Sequence, residues 1–311
     1  TEKYQDKRND IINVKDKVIE FETGNVLIGS VSRLYMSNKC LLIADHKSVD
    51  KQIHIFNKND FSYLTSIGNF GEGPEEITVM GCLAIDEAHH QLYVSDHAKQ
   101  KIFSYDMDSV MVDSLYKPQV KTAMNETLFP SEYQYINDTL SIAVLIKPTS
   151  TSTFNQFLGR WNMNTGEMIP MKYTHPDIQK KRITFAASEK AGIYVECYTR
   201  HDLMTICSLD GELLYNIYGP DWDGGNGNKL QSFGTVMIGN DKIFVSYCGE
   251  DYARDSFPTK ILVFDLEGNY LKTLETGYKI SDCCYDSFNN RIILSLNDVV
   301  QFAYLDIDGI I

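Results

Sequence analysis

Long apolar runs are missing from this chain. None approaches the roughly 18 residues a membrane-crossing helix needs, so no transmembrane segment is expected. No leader pattern opens it either: the first stretch, TEKYQDKRND, is polar and reads as a solvated tail over residues 1–10, behind a processed or trimmed start. Basic stripes are also missing. Lys and Arg number 29 against 42 Asp and Glu, a net charge of −13. Such a surface repels nucleic acid and anionic lipid, so nucleic acid is excluded as a partner class. The seven cysteines form no C-x-x-C and no zinc spacing. Cys82, Cys197, Cys207, Cys283 and Cys284 lie in apolar runs and read as buried small hydrophobes. Cys197 and Cys207 are spaced to face each other across neighbouring strands, and the odd count leaves at least one thiol unpaired. The chain has no G-x-S-x-G elbow, H-E-x-x-H helix or P-loop. Catalytic signatures are thin, and no cofactor is expected.

What the chain does have is a repeat. Six short apolar stretches recur: Leu41–Asp45, Leu92–Asp96, Ser141–Leu145, Ile193–Cys197, Ile243–Tyr247 and Ile292–Leu296, with start-to-start spacings of 51, 49, 52, 50 and 49. A fixed period of this length marks a repeat architecture. Each period divides into strand-length runs separated by Asp, Asn and Gly, with no ten-residue helical pattern. In the second period these are Gly81–Ile85, Gln91–Ser95, Ile102–Asp106 and Val110–Tyr116. Turn chemistry such as Asn164-Thr165-Gly166 and Asp210-Gly211 follows the third run. The fold class is therefore all-β: a six-bladed β-propeller of four-stranded antiparallel blades.

Blades are expected near 31–68, 78–117, 131–173, 182–219, 232–276 and 278–306, within one domain over 11–311. The last blade runs out of chain after Asp308-Gly309 and lacks an outer strand. Residues 11–21 are β-like and unassigned, so part of them is expected to close the ring there and remove two open edges.

The stretch Ile67–Ile77 (IGNFGEGPEEI), with Ala84-Ile85-Asp86, Leu92–Asp96 and Ile261–Gly268, resembles the signatures of TolB-like, NHL-like six-bladed propellers of Bacteroidetes. Glu75 stands where that family usually has Gly. The resemblance implies an exported protein of the periplasm or outer membrane, often a lipoprotein, whose anchoring Cys would precede Thr1. It is nearly silent on function.

Propeller geometry narrows the site. The D-to-A and B-to-C connections share one face and are longer and richer in ionisable and aromatic residues than the short turns of the other. Binding residues concentrate on loops held by a rigid scaffold. The candidates on that face, around the central channel, are Arg33, Glu76, His97, Arg182, Arg200, His201, Trp222, Tyr252, Arg254, Tyr278 and Lys279. Arg33, Arg182 and Lys279 suggest an anion-binding lip, and Trp222, Tyr252 and Tyr278 suit a stacked sugar or peptide. Asp45-His46, Asp96-His97 and His201-Asp202 offer divalent-metal ligand types, though an Asp ending a strand more often caps a turn. Asp221–Asn226 lacks the glycine and the distal Glu of a calcium loop. The expected function is a non-enzymatic propeller binding a small molecule, glycan or protein. The alternative is a hydrolase or lyase acting on a sugar or lactone-like substrate at the same face.

Overall fold

The computed structural model describes residues 1–227 and 229–311. Contacts divide the chain into two compact units, Thr23–Met171 and Thr1–Glu22 with Lys172–Ile311. Three short strands come first: β1 (Glu2–Tyr4), β2 (Ile11–Asn13) and β3 (Val18–Glu20).

The Thr23–Met171 unit holds three four-stranded sheets. The first is β4 (Ser32–Met36), β5 (Cys40–Asp45), β6 (Lys51–Asn57) and β7 (Tyr63–Asn69). The second is β8 (Met80–Asp86), β9 (Gln91–Asp96), β10 (Lys101–Asp106) and, after helix α1 (Met107–Val112), β11 (Gln119–Ala123). The third is β12 (Phe129–Asn137), β13 (Leu140–Pro148), β14 (Phe154–Trp161) and β15 (Met168–Pro170).

The other unit holds the remaining three. They are β16 (Ile183–Ser188), β17 (Ile193–Tyr198), β18 (Leu203–Ser208) and β19 (Leu213–Tyr218); then β20 (Leu230–Ile238), β21 (Lys242–Asp251), β22 (Lys260–Asp265) and β23 (Tyr270–Glu275); then β24 (Ile280–Asp286), β25 (Arg291–Leu296) and β26 (Phe302–Asp306). Neighbours within each sheet pair in chain order and antiparallel, as expected of propeller blades.

The six recurrent apolar stretches are the second strands β5, β9, β13, β17, β21 and β25. They are apolar on both faces because sheets stack on sheets. Leu42, Ile53, Leu83, Val94 and Phe103 fill the seam between the first two sheets. Val195, Ile206, Phe233, Val245 and Phe264 fill the seam between the fourth and fifth. Continuous apolar strands rather than alternating ones follow from burial on both sides.

β3 completes the sixth sheet, with Ala303 opposite Glu20 and Leu305 opposite Val18. The rest of residues 11–21 goes elsewhere: β2 adds a fifth, parallel strand to β23, with Ile11 opposite Thr273. Residues 1–10 are not a free tail. β1 adds a parallel fifth strand to β19, with Glu2 opposite Asn216 and Tyr4 opposite Tyr218. The polar composition hid this because strand addition uses the backbone and leaves side chains free to anchor. Tyr4 stacks on Tyr218 at 4.6 Å between centroids, and Lys3 Nζ lies 4.0 Å from the Tyr215 ring centre. Arg8 inserts its side chain, 5% exposed, against fully buried Asp202 at 2.6 Å.

The second sheet also departs from expectation. Val110–Tyr116 is not its outer strand; α1 and a linker occupy that place, and β11 forms the edge farther on. Asp106 caps the helix by accepting from Ser109 N at 2.8 Å. The seven cysteines are buried and free. Cys197 lies opposite Met204 and Cys207 opposite Tyr194, so they do not face each other.

Candidate functional site

Each B-to-C loop begins where the buried second strand meets solvent. In the first two sheets an aspartate at that point, and in the fourth sheet one at the far end of the loop, ties the loop to the chain that enters beside it. Asp96, with a fully buried side chain, accepts from Thr78 N at 2.8 Å, Val79 N at 3.1 Å, Ala98 N at 3.0 Å and Lys99 N at 3.2 Å. Asp45 does the same for Gly29 N (2.9 Å) and Lys47 N (3.1 Å), and Asp202 for Asp221 N (3.0 Å). Bonds from backbone N–H groups satisfy a carboxylate without a metal. The neighbouring imidazoles point elsewhere. His46 Nε2 lies 3.3 Å from Gly81 O, and His97 packs beside Gly81 and 5.7 Å from the Phe129 ring. Burial lowers the His97 pKa and keeps the ring neutral.

The richest loop cluster lies in the unit built on sheets four to six. The Thr199–Asp202 loop carries Arg200 and His201, and the loop after β19 carries Trp222. The long connection after β21 turns through Tyr252–Arg254, with Asp251 accepting from Ala253 N at 2.8 Å. The Arg200 guanidinium lies 3.8 Å from the centre of the Tyr252 ring, which is 49% exposed. Arg200 Nε has no partner among the described residues. Arg254, on the same turn, meets Glu250 at 3.4 Å.

Behind Arg200, His201 is buried 6.0 Å from Trp222, and Trp222 meets Tyr218 edge-on at 4.9 Å and His175 at 5.7 Å. His175 Nε2 and Tyr218 Oη are 2.7 Å apart. Burial pushes both histidines below their ordinary pKa, so they stay neutral at neutral pH. The structure thus brings together Arg200, His201, Trp222, Tyr252 and Arg254. His175 and Tyr218 complete this aromatic backing. Tyr218 belongs to an outer strand, with nothing in its sequence to single it out.

The other candidates have separate partners. Arg33 pairs with Glu132 and lies 5.3 Å from the Tyr35 ring centre. Glu76 folds back to accept from Gly73 N at 2.9 Å, while Lys99 donates to the carbonyls of Gly73 and Glu76. Arg182 donates to the Lys181 carbonyl at 2.6 Å. Tyr278 lies under Lys15, 5.2 Å away, and Lys279 N is held by Asp298 at 3.1 Å.

Among the described residues, one His–carboxylate group of metal-ligand type has no counterpart among the sequence candidates: Asp86, His89 and Asp138. It sits on the short-turn side. Asp86 accepts from His89 Nδ1 at 2.8 Å, His89 N at 3.1 Å and Tyr93 Oη at 2.7 Å. Burial alone would raise the Asp86 pKa; the bonds from Tyr93 and His89 outweigh it and lower it. Asp286 repeats the arrangement in the sixth sheet, accepting from Phe288 N, Asn289 N and Asn289 Nδ2 at 3.1, 3.2 and 2.7 Å. The next residues, His90 and Asn290, both take left-handed φ, 53° and 48°. The matching sequences, DEAHHQ and DSFNNR, identify a turn lock common to both sheets.

Comparison with solved structures finds the same fold in proteins of low identity, a β-propeller domain among them. A candidate exported protein of Bacteroides fragilis NCTC 9343 is 13% identical, with 94% of this chain and 88% of that chain covered and a TM-score of 0.63. A DUF4221 member from Bacteroides vulgatus ATCC 8482 is 11% identical over 96% of this chain and 98% of that chain, TM-score 0.61. The Cps50 (Swd1) β-propeller domain of Myceliophteria thermophila is 9% identical over 93% and 99%, TM-score 0.57. At these identities the likeness shows the fold alone. Comparison with curated proteins gave no match. No helix among the described residues is long and apolar enough to cross a membrane. The model of the DUF5128 family, 6-bladed beta-propeller, matches residues 2–157, half of this chain, and the chain belongs to that family.

Proposed function

We propose that this propeller is a binding module, not an enzyme, and that it engages its ligand on the ledge formed by Arg200, Tyr252 and Trp222. The observation that carries this reading is the Arg200–Tyr252 contact, a guanidinium 3.8 Å from the centre of a half-exposed ring, on a loop face rich in aromatic and charged residues. Rigid Arg and aromatic side chains of this kind dominate binding energy at interfaces. The guanidinium suits a carboxylate or sulfate, and the rings beside it suit a sugar or peptide face. Three groups near the ledge support the same reading: Asp202 serves Arg8 and a backbone N–H, His175 serves Tyr218, and His201 Nδ1, unpartnered among the described residues, is shut off from solvent. A hydrolase would need such groups free to reach a substrate.

The reading includes export to the periplasm or outer membrane, with a lipid anchor before Thr1. It draws on the resemblance around Ile67–Ile77 to TolB-like, NHL-like lipoproteins and on the exported Bacteroides neighbour. A thermal-shift panel of acidic glycans, neutral glycans and acidic peptides tests the reading. Ligand in about 100-fold excess over Kd should stabilise by ~2.7 kcal/mol. Loss of the response to acidic ligands in Arg200→Ala and Tyr252→Ala is expected. A panel with no responder, or a response unchanged in both variants, refutes it.

A further inference from the structure

The second sheet departs from its neighbours between its third and fourth strands. Elsewhere that connection is a short turn, over residues 58–62, 162–167, 209–212 and 266–269; here it is residues 107–118, with α1 inside it. The insertion has a consequence for the adjoining seam. Met107 and Met111, one turn apart on α1, line a cavity of about 490 Å³, faced by Cys40, Leu64 and Ile85. Ligand sites typically enclose ~300–1,000 Å³ with a mainly apolar lining and a few placed polar groups. Met111 and Leu64 remain 37% and 43% exposed, apolar surface that the fold itself leaves uncovered.

The polar rim is strongly one-sided. Asp86, Glu87 and Asp108 line it, against Lys39 as the single lysine or arginine of the lining. Glu87 Oε1 accepts from Asn38 N at 2.7 Å, and Asp108 Oδ2 meets His90 Nδ1 at 3.0 Å. The second oxygen of each carboxylate has no partner among the described residues. An anionic ligand would meet repulsion here, while a cation would find two open carboxylate oxygens above an apolar floor. Methionine side chains adapt to varied apolar shapes, which suits a ligand pocket.

We propose that this cavity binds a small organic cation, with its ammonium head at Glu87 and Asp108 and its apolar body against Met107, Met111 and Leu64. The site lies within the Thr23–Met171 unit, on the side of its short A-to-B and C-to-D turns, and shares no residue with the Arg200 ledge, so either stands without the other.

Calorimetric titration with phenethylamine, phenethyl alcohol and phenylacetate varies the charge on nearly one shape. Saturable binding of the amine is expected, with the alcohol at least about tenfold weaker, a difference of ~1.4 kcal/mol, and no binding of phenylacetate. Glu87→Gln with Asp108→Asn should weaken the amine about tenfold. Lys39→Glu should strengthen it, a gain that misfolding cannot mimic. The proposal is overturned if phenylacetate binds as tightly as the amine, or if neither variant moves the amine affinity. Absence of saturable amine binding up to ~10 mM overturns it as well.

Discussion

Arg8→Ala should release the N-terminal strap and destabilise the unit it binds. The Arg8 guanidinium is 5% exposed, Asp202 is fully buried, and they meet at 2.6 Å. Arg8 also lies 5.7, 5.7 and 5.5 Å from the ring centres of Phe233, Tyr247 and Phe264. Removing one partner of a buried pair leaves the other charge desolvated, which costs about 3–5 kcal/mol. Asp202 keeps its bond from Asp221 N, so the lower end applies, ~3 kcal/mol. At roughly 2 °C per kcal/mol for a chain of this size, the Tm should fall by about 6 °C. Chemical denaturation gives the free energy, and limited proteolysis should cut within residues 1–13 of the variant sooner than in the parent. Arg8→Met keeps much of the packing against the rings and separates lost charge from lost contact. A cycle with Asp202→Asn should show coupling of about 1–3 kcal/mol. A loss below ~1 kcal/mol for Arg8→Ala, or strict additivity with Asp202→Asn, would refute the anchoring argument.

Two further outcomes follow from the scaffold. Asp96→Ala leaves four backbone N–H groups without their acceptor and should cost ~3 kcal/mol in urea denaturation, with Asp96→Asn costing less; metal-dependent stability lost in both variants would instead mark a ligand. Burial holds His54, His97, His175 and His201 below the usual pKa near 6.5, so the unfolded chain takes up their protons first. Their contribution is complete above that pH and is lost as the pH falls below it. The Tm should therefore drop between about pH 7.5 and about pH 5.5, opposed only by exposed His89, whose bond to Asp86 raises its pKa; a rise in Tm would contradict this sign.

The blades were legible because their second strands are buried on both faces. Runs such as Leu41–Ala44 must then be apolar at every position, and burial repeats them with the blade period. The strap was not legible. Its order comes from partners some two hundred positions away, as between Arg8 and Asp202 or Asn216 and Glu2, and local composition carries no trace of them. α1 carries one signal in the sequence, an Asp of N-cap type at Asp106, but the apolar residues that open Val110–Tyr116 suit a strand equally well. The site was half legible. Arg200, His201, Trp222 and Tyr252 stood out as loop residues, whereas Tyr218 and His175 joined them only through packing. The methionine-lined cavity depends on α1, and no run in the sequence marks it.

Hydrogen–deuterium exchange, with and without the strongest ligand of the thermal-shift panel, tests the binding ledge most directly. Protection is expected over residues 199–202 and 248–255, where Arg200 and Tyr252 lie. Protection confined to residues 37–40, 85–91 and 107–111, or to no loop of the fourth and fifth sheets, would contradict it.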